Sequence, residues 1–154
     1  MANTYTQIYI QIVFAVSNRE NLIAPNFKEE VYKYMTGTVR NEGNKLLAIG
    51  GMPDHVHLLV GLRPDIALSD LVKEVKSSSS NLINNKRLVS GRFSWQEGFG
   101  GFSYSRSQIG AVVRYIENQE AHHARHSFKH EYLVLLRKFD IAFDERYVFK
   151  WIDE

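Results

Sequence analysis

Two short stretches of this chain hold residue types that could do chemistry together. The first is Asp54-His55-Val56-His57-Leu58-Leu59-Val60. On a strand, successive side chains alternate between faces. His55 and His57 then point the same way, about 7 Å apart along the backbone, while Val56, Leu58 and Val60 point into a core. Two imidazoles on one rigid wall can grip a divalent cation. They can equally stand on a solvated strand face, and spacing alone does not choose. The second stretch is Tyr115-Ile116-Glu117-Asn118-Gln119. On a helix, residues four apart share a face, so Tyr115 and Gln119 project together. A phenol with its usual pKa of ~10 is a poor nucleophile. It can attack phosphorus when a cation polarises the phosphate and stabilises the leaving oxygen. The amide oxygen of a glutamine is a suitable third ligand for a hard cation such as Mg²⁺ or Mn²⁺. A lone tyrosine on an amphipathic helix otherwise packs in a core.

The elements that must position these residues follow from periodicity. Tyr5 to Val16 is rich in β-branched and aromatic residues and reads as a strand. Phe27 to Val39 has helical apolar spacing, after a turn that contains Pro25. Lys45 to Met52 and Val56 to Leu62 read as two strands, joined as a hairpin by Pro53 and Asp54. Ser69 to Asn84 reads as a helix capped at Ser69, with the serine run Ser77 to Ser80 weakening the pattern. Arg92 to Trp95 and Gly100 to Ser105 are short strands or irregular loop. Ser107 could cap a helix from Gln108 to about His123, and Phe128 to Phe139 is a further helix. The order β-α-β-β-α-β with extra C-terminal helices predicts an α+β fold. It is a ferredoxin-like sandwich with a central antiparallel sheet, helices on one face, and the tyrosine on the extra helices.

Composition bounds the alternatives. The 154 residues fit a single domain over 1–154, long enough for a real core without staples. Cysteine is absent, which excludes disulfides, thiolate metal sites and a cysteine nucleophile. The net charge of +2 permits nucleic-acid binding without arguing for it. The N-terminus does not read as a secretory signal, and no apolar run reaches the ~18 residues of a membrane span. The expectation is a cytoplasmic protein.

His55-Val56-His57 resembles the His-hydrophobic-His motif of HUH endonucleases. Tyr115-Ile116-Glu117-Asn118-Gln119-Glu120, followed by His122-His123, is similar to the nucleophile helix of single-tyrosine HUH transposases, the IS200-like enzymes of the smallest bacterial insertion sequences. Trp95-Gln96-Glu97-Gly98-Phe99-Gly100, Leu68-Ser69 with Lys76 to Ser79, and Asp144 to Val148 extend the resemblance from about Tyr5 to Phe149. The resemblance implies a ferredoxin-like domain that binds single-stranded DNA with a hairpin near the transposon end. It implies His55, His57 and Gln119 as metal ligands for Mg²⁺ or Mn²⁺, and Tyr115 as the nucleophile. It further implies a 5′-phosphotyrosine intermediate with a free 3′-OH that later rejoins DNA, and no nucleotide cofactor. Family members work as homodimers, often with one subunit's tyrosine helix completing the other's histidine site.

Other residues are weighed beside these. Lys73, Lys76, Lys86, Arg87, Arg92, Arg106 and Arg114 are candidate phosphate contacts, and Phe93, Trp95, Phe99 and Phe102 candidate stacking rings. For each cation a solvated surface competes, and for Trp95 and Phe102 core packing does. His122, His126 and His130 have helical i, i+4, i+8 spacing without the glutamate of a zinc-protease motif. Asp54 serves the turn or orients His55. Two further functions stay open: a domesticated single-stranded hairpin binder with unused catalysis, and a metal-dependent hydrolase of small phosphoesters that needs no Tyr115.

Overall fold

The computed structural model describes residues 3–123, 126–144 and 148. Strand β1 (Tyr9–Ala15) leads to helix α1 (Lys28–Asn41), the hairpin β2 (Lys45–Met52) and β3 (His55–Gly61), helix α2 (Leu68–Asn85) and strand β4 (Gly100–Tyr104). Helices α3 (Ile109–Glu117), α4 (Gln119–His123) and α5 (Phe128–Lys138) follow. The four strands pair antiparallel in the order β2-β3-β1-β4. This is the ferredoxin-like arrangement the element order predicts, with β1 and β3 in the centre.

The period of two on the central strands divides the molecule. Ile12 and Phe14 of β1 and Val56, Leu58 and Val60 of β3 face α1 and α2, where Val31, Met35, Leu71, Val75 and Ile83 close the core. Phe14 meets Trp95 edge-on at 4.8 Å, and Phe93 meets Trp95 at 4.9 Å. Phe93, Trp95 and Phe102 are thus core residues, not free stacking platforms. The opposite face carries Val13, Ala15 and Leu59 and is covered by α3 and α5 through Ile109, Val112, Ile116, Phe128 and Tyr132. The helices expected around the tyrosine therefore form a second layer across the sheet from α1 and α2.

Local expectations meet the structure unevenly. The serine run lies inside α2, whose buried Leu71, Val72, Val75 and Ile83 hold the helix on the sheet, and its hydroxyls bond back to the preceding turn, as Ser79 Oγ does to Val75 O at 2.6 Å. Ser69 is not the cap; Ala67 takes that position, and the helix starts without a side-chain cap. Arg92 to Trp95 stays irregular except for one bridge, Val16 with Trp95. The single helix expected from Gln108 to His123 is broken. A 3₁₀ turn (Arg106–Gln108) precedes α3, with Ser105, not Ser107, donating its N–H to Gln108 Oε1 at 3.0 Å. The chain then bends at Asn118 (φ −102°, ψ 28°), between α3 and α4. Packing of Val148 against the α5 layer is seen. Glu145, Arg146, Tyr147 and Phe149 of the resemblance, and the His122 side chain, lie outside the described residues. No helix among the described residues is long and apolar enough to cross a membrane.

One glycine fixes how closely the tyrosine layer approaches. A Cβ on Gly50 of β2 would sit 2.2 Å from the Ile116 carbonyl oxygen of α3. The obstacle is backbone, so it cannot swing aside. Gly50→Ala should destabilise the fold by about 1–3 kcal/mol, the usual cost of overpacking, measured as a lower urea midpoint. An unchanged midpoint would show that α3 rides freely on β2.

Candidate active site

His55 and His57 point from β3 into the α3–α5 layer, as the strand alternation requires. Both are fully buried, so the solvated-face alternative is excluded. They lie opposite Ala15 and Val13 of β1, and their ring centroids are 5.1 Å apart. Phe128, the first residue of α5, lies flat on His55 at 4.0 Å. Ser127 caps that helix by accepting the His130 N–H at 3.1 Å. The cap and the stack together fix where α5 begins.

One turn later, α5 delivers Glu131, which is 3% exposed. Its Oε1 lies 2.9 Å from His57 Nε2, 3.1 Å from His123 Nε2 and 3.4 Å from His55 Nε2. Its Oε2 accepts the Tyr115 hydroxyl in a very short hydrogen bond and the Gln119 amide at 3.3 Å. Gln119 Oε1 faces His55 Nε2 at 3.2 Å and His123 Nε2 at 3.0 Å. Each pair shares a face as its spacing predicts, and Tyr115, His55, His57 and Gln119 meet within one chain. The bend at Asn118 does not separate the pair, because Gln119 Nε2 still reaches Tyr115 O at 3.3 Å.

The electrostatics follow from burial and partners. Asp54 Oδ1 accepts from His55 Nδ1 at 2.7 Å, so Asp54 both closes the hairpin and orients the ring, leaving Nε2 to face the site. Burial lowers the His55 pKa, but Asp54 and Glu131 overcome it and hold the ring at about 8, above its usual 6.5. Burial pushes His57 down, only partly offset by Glu131. Burial also opposes the Glu131 charge, yet hydrogen bonds from His123, His55 and His57 hold its carboxyl far below the usual range. Burial, and then the Glu131 charge, push the Tyr115 phenol well above its ordinary value. The cluster therefore rests as a carboxylate facing a charged His55, with Tyr115 neutral and donating.

Residues 4–119 match the family profile described as Transposase IS200 like. The chain belongs to the IS200-like transposase family. The ISDra2 transposase TnpA of Deinococcus radiodurans is 23% identical over 118 residues, which are 73% of this chain and 84% of that protein. A Deinococcus radiodurans R1 crystal structure, described as that of a candidate transposase, superposes with a TM-score of 0.63 at 22% identity, covering 77% of this chain and 95% of that one. The REP-associated tyrosine transposase bound to a REP hairpin has a TM-score of 0.61 at 14% identity, covering 100% of this chain and 93% of that one. At these identities the two structures share the fold.

The buried donor set of this IS200-like transposase suits a divalent cation. One ligand atom each from His55, His57 and Glu131 lies within 4.8 Å of the others. Two imidazole nitrogens and a carboxylate oxygen form a mixed set for ions such as Mn²⁺, and Gln119 Oε1 adds a fourth donor beside His55. His57 Nδ1 meets the Gln11 amide nitrogen at 2.8 Å, and Tyr104 donates to Gln11 Oε1 at 2.7 Å. A ligand on His57 Nε2 needs the proton on Nδ1. Turning the Gln11 amide end over end satisfies this, since Oε1 then accepts from Nδ1–H.

Glu131 and His123 are absent from the motif-based ligand set. The family profile ends at residue 119, before Glu131. The available signal was a carboxylate on the apolar stripe of α5, among Phe128, Tyr132 and Leu135, where acids are rarely buried unless paired. His122, His126 and His130 do not share one helix, because α4 ends at His123 and α5 starts at Phe128. Among the candidate cations, Lys76 holds the Gln96 and Gly98 carbonyls and Lys86 pairs with Glu30. Those two serve the fold in this structure.

A ring whose pKa is raised on folding stabilises the protein fully below about 6.5 and loses that contribution as pH rises through about 8. In chelator-treated protein, Asp54→Asn should lower the His55 midpoint seen by NMR. It should destabilise the fold at pH 6 by up to about 2 kcal/mol and much less at pH 9; a gap that does not change with pH would rule out this account of Asp54. Glu131→Gln should weaken Mn²⁺ binding, measured by calorimetry, at least about tenfold. Unchanged affinity would remove Glu131 from the donor set.

Proposed function

We propose that this transposase cleaves and rejoins single-stranded DNA through a 5′-phosphotyrosine intermediate, with Tyr115 as nucleophile and a divalent metal, Mg²⁺ or Mn²⁺, held by His55, His57 and Gln119 together with Glu131. The observation that carries the reading is that the Tyr115 hydroxyl bonds the same carboxylate that faces both histidines. A nucleophile and a cation site are thereby side by side on rigid elements.

In this mechanism, Tyr115 Oη attacks phosphorus and its proton passes to solvent as the O–P bond forms, while Glu131 Oε2 orients the hydroxyl it already faces. The P–O3′ bond breaks, the released oxygen takes a proton from solvent, and the enzyme keeps the 5′-phosphate. Bound metal would act as a Lewis acid on the charge developing at the phosphate. Gln119 and Glu131 keep the phenol oriented, while the α3–α5 layer keeps bulk water from the histidines. A free 3′-OH attacking the phosphotyrosine reverses the step and rejoins DNA without a nucleotide cofactor. The partner is single-stranded DNA with a hairpin, a reading supported by the fold shared with a transposase solved on a REP hairpin. The enzyme acts as a homodimer that pairs two such sites, as the motif resemblance implies.

The test is covalent capture. Single-stranded DNA from the ends flanking the gene, labelled 5′ or 3′, is mixed with protein and Mg²⁺ or Mn²⁺ and run on a denaturing gel. A slow, protease-sensitive band carrying the 3′-labelled fragment is expected. It should vanish with chelator and in His57→Ala. Tyr115→Phe should abolish it while leaving DNA binding largely intact. A covalent product that persists in Tyr115→Phe would assign the nucleophile elsewhere. Hairpin binding with bound metal but no band would favour a domesticated binder.

A further inference from the structure

A cleft of about 570 Å³ runs between α3 and α5 and ends at Tyr115 and Glu131. That size lies within the roughly 300–1,000 Å³ of small-ligand pockets. Its walls are unlike those of a protein contact. His126 and His130 line it as a ring pair, stacked at 4.8 Å with 21° between planes. Both are exposed. Val134 adds an apolar wall and is 45% exposed. Lys138 also lines the cleft, its ammonium 5.8 Å from the Tyr104 ring. Glu131 is the one carboxylate among the described lining residues, and it points to the histidines on β3.

We infer that this cleft is the subsite for a nucleoside of the single strand that flanks the attacked phosphate, with the His126–His130 pair as its stacking platform. The inference rests on the proposed chemistry in one respect. A phosphodiester in reach of Tyr115 Oη must place one neighbouring nucleoside somewhere, and Tyr115 is itself part of the lining of this cleft. The walls match the ligand. Flat exposed rings and an apolar side chain suit the face of a base, and a base can stack on any aromatic plane. Lys138 supplies a cation for the next phosphate along the strand. Gln108 on the wall is already tied to Ser105. The subsite takes a base by its face, on the stacked histidine rings. It also gives a role to two histidines whose i, i+4 spacing had none assigned.

The experiment uses the full chain in chelator, so that no strand is cut. The probes are an eight-residue oligothymidine and the same phosphodiester chain without bases. Oligothymidine should shift the ring resonances of His126 and His130 and the Val134 methyls in NMR, and the abasic chain should not. His126→Ala with His130→Ala should weaken oligothymidine binding about tenfold, the loss of roughly one stacked base. Val134→Glu, an exposed change that leaves the platform intact, should weaken it as well by charge repulsion. Unmoved His126 and His130 resonances up to millimolar strand, equal affinity for the abasic chain, or unchanged affinity in the double variant would each overturn the subsite. The two proposals fail separately. A tyrosine adduct with normal binding by the cleft variants overturns the subsite alone. Cleft binding with no adduct under metal overturns the nucleophile and leaves the subsite supported.

Discussion

A carboxylate buried among imidazoles is the interaction on which the rest of this structure depends. Moving an ionised group out of water costs several kcal/mol unless partners repay it. Glu131 is repaid five times over, by His55, His57, His123, Gln119 and Tyr115. These partners come from a strand and from two helices. One charged group therefore clamps the sheet to the layer that covers it. The same clamp sets the resting state of the site, holding a neutral tyrosine against a carboxylate.

The sheet makes this possible by having two unlike faces. One face of β1 and β3 packs only apolar side chains against α1 and α2. The other face mixes Val13, Ala15 and Leu59 with Gln11, His55 and His57. All three of these polar side chains are fully buried and paired. The second face is apolar around its rim and polar at its centre. Gly50 lets α3 rest directly on β2, so the tyrosine helix is positioned by backbone contact. The bend at Asn118 then allows α4 to turn His123 toward Glu131.

Local rules made much of this legible in the sequence. Alternation on β3 and the i, i+4 spacing of Tyr115 and Gln119 are short-range properties, and both hold. The element order sufficed for the sheet. Glu131 was not legible in that way. It lies 74 residues from His57, a separation no local period spans, and its helix reads as an ordinary amphipathic one. The break at Asn118 carries neither glycine nor proline to mark it. The Ser69 cap failed because Ala67 already begins the turn, which puts the serine inside the helix. In each miss, a tertiary contact or a neighbouring residue outweighed a propensity of tenths to about one kcal/mol.

The place of Glu131 in the chain has a consequence for synthesis. The ribosome delivers β1, the histidine hairpin, the sheet and then Tyr115 before α5 emerges. Until α5 docks, the two strand imidazoles lack the Glu131 carboxylate, Asp54 alone pairs with His55, and Phe128 does not yet cover that ring. The ferredoxin-like sandwich can form during translation, but the reactive centre forms only afterwards. A nascent polypeptide therefore lacks the Glu131 clamp until α5 closes over the sheet.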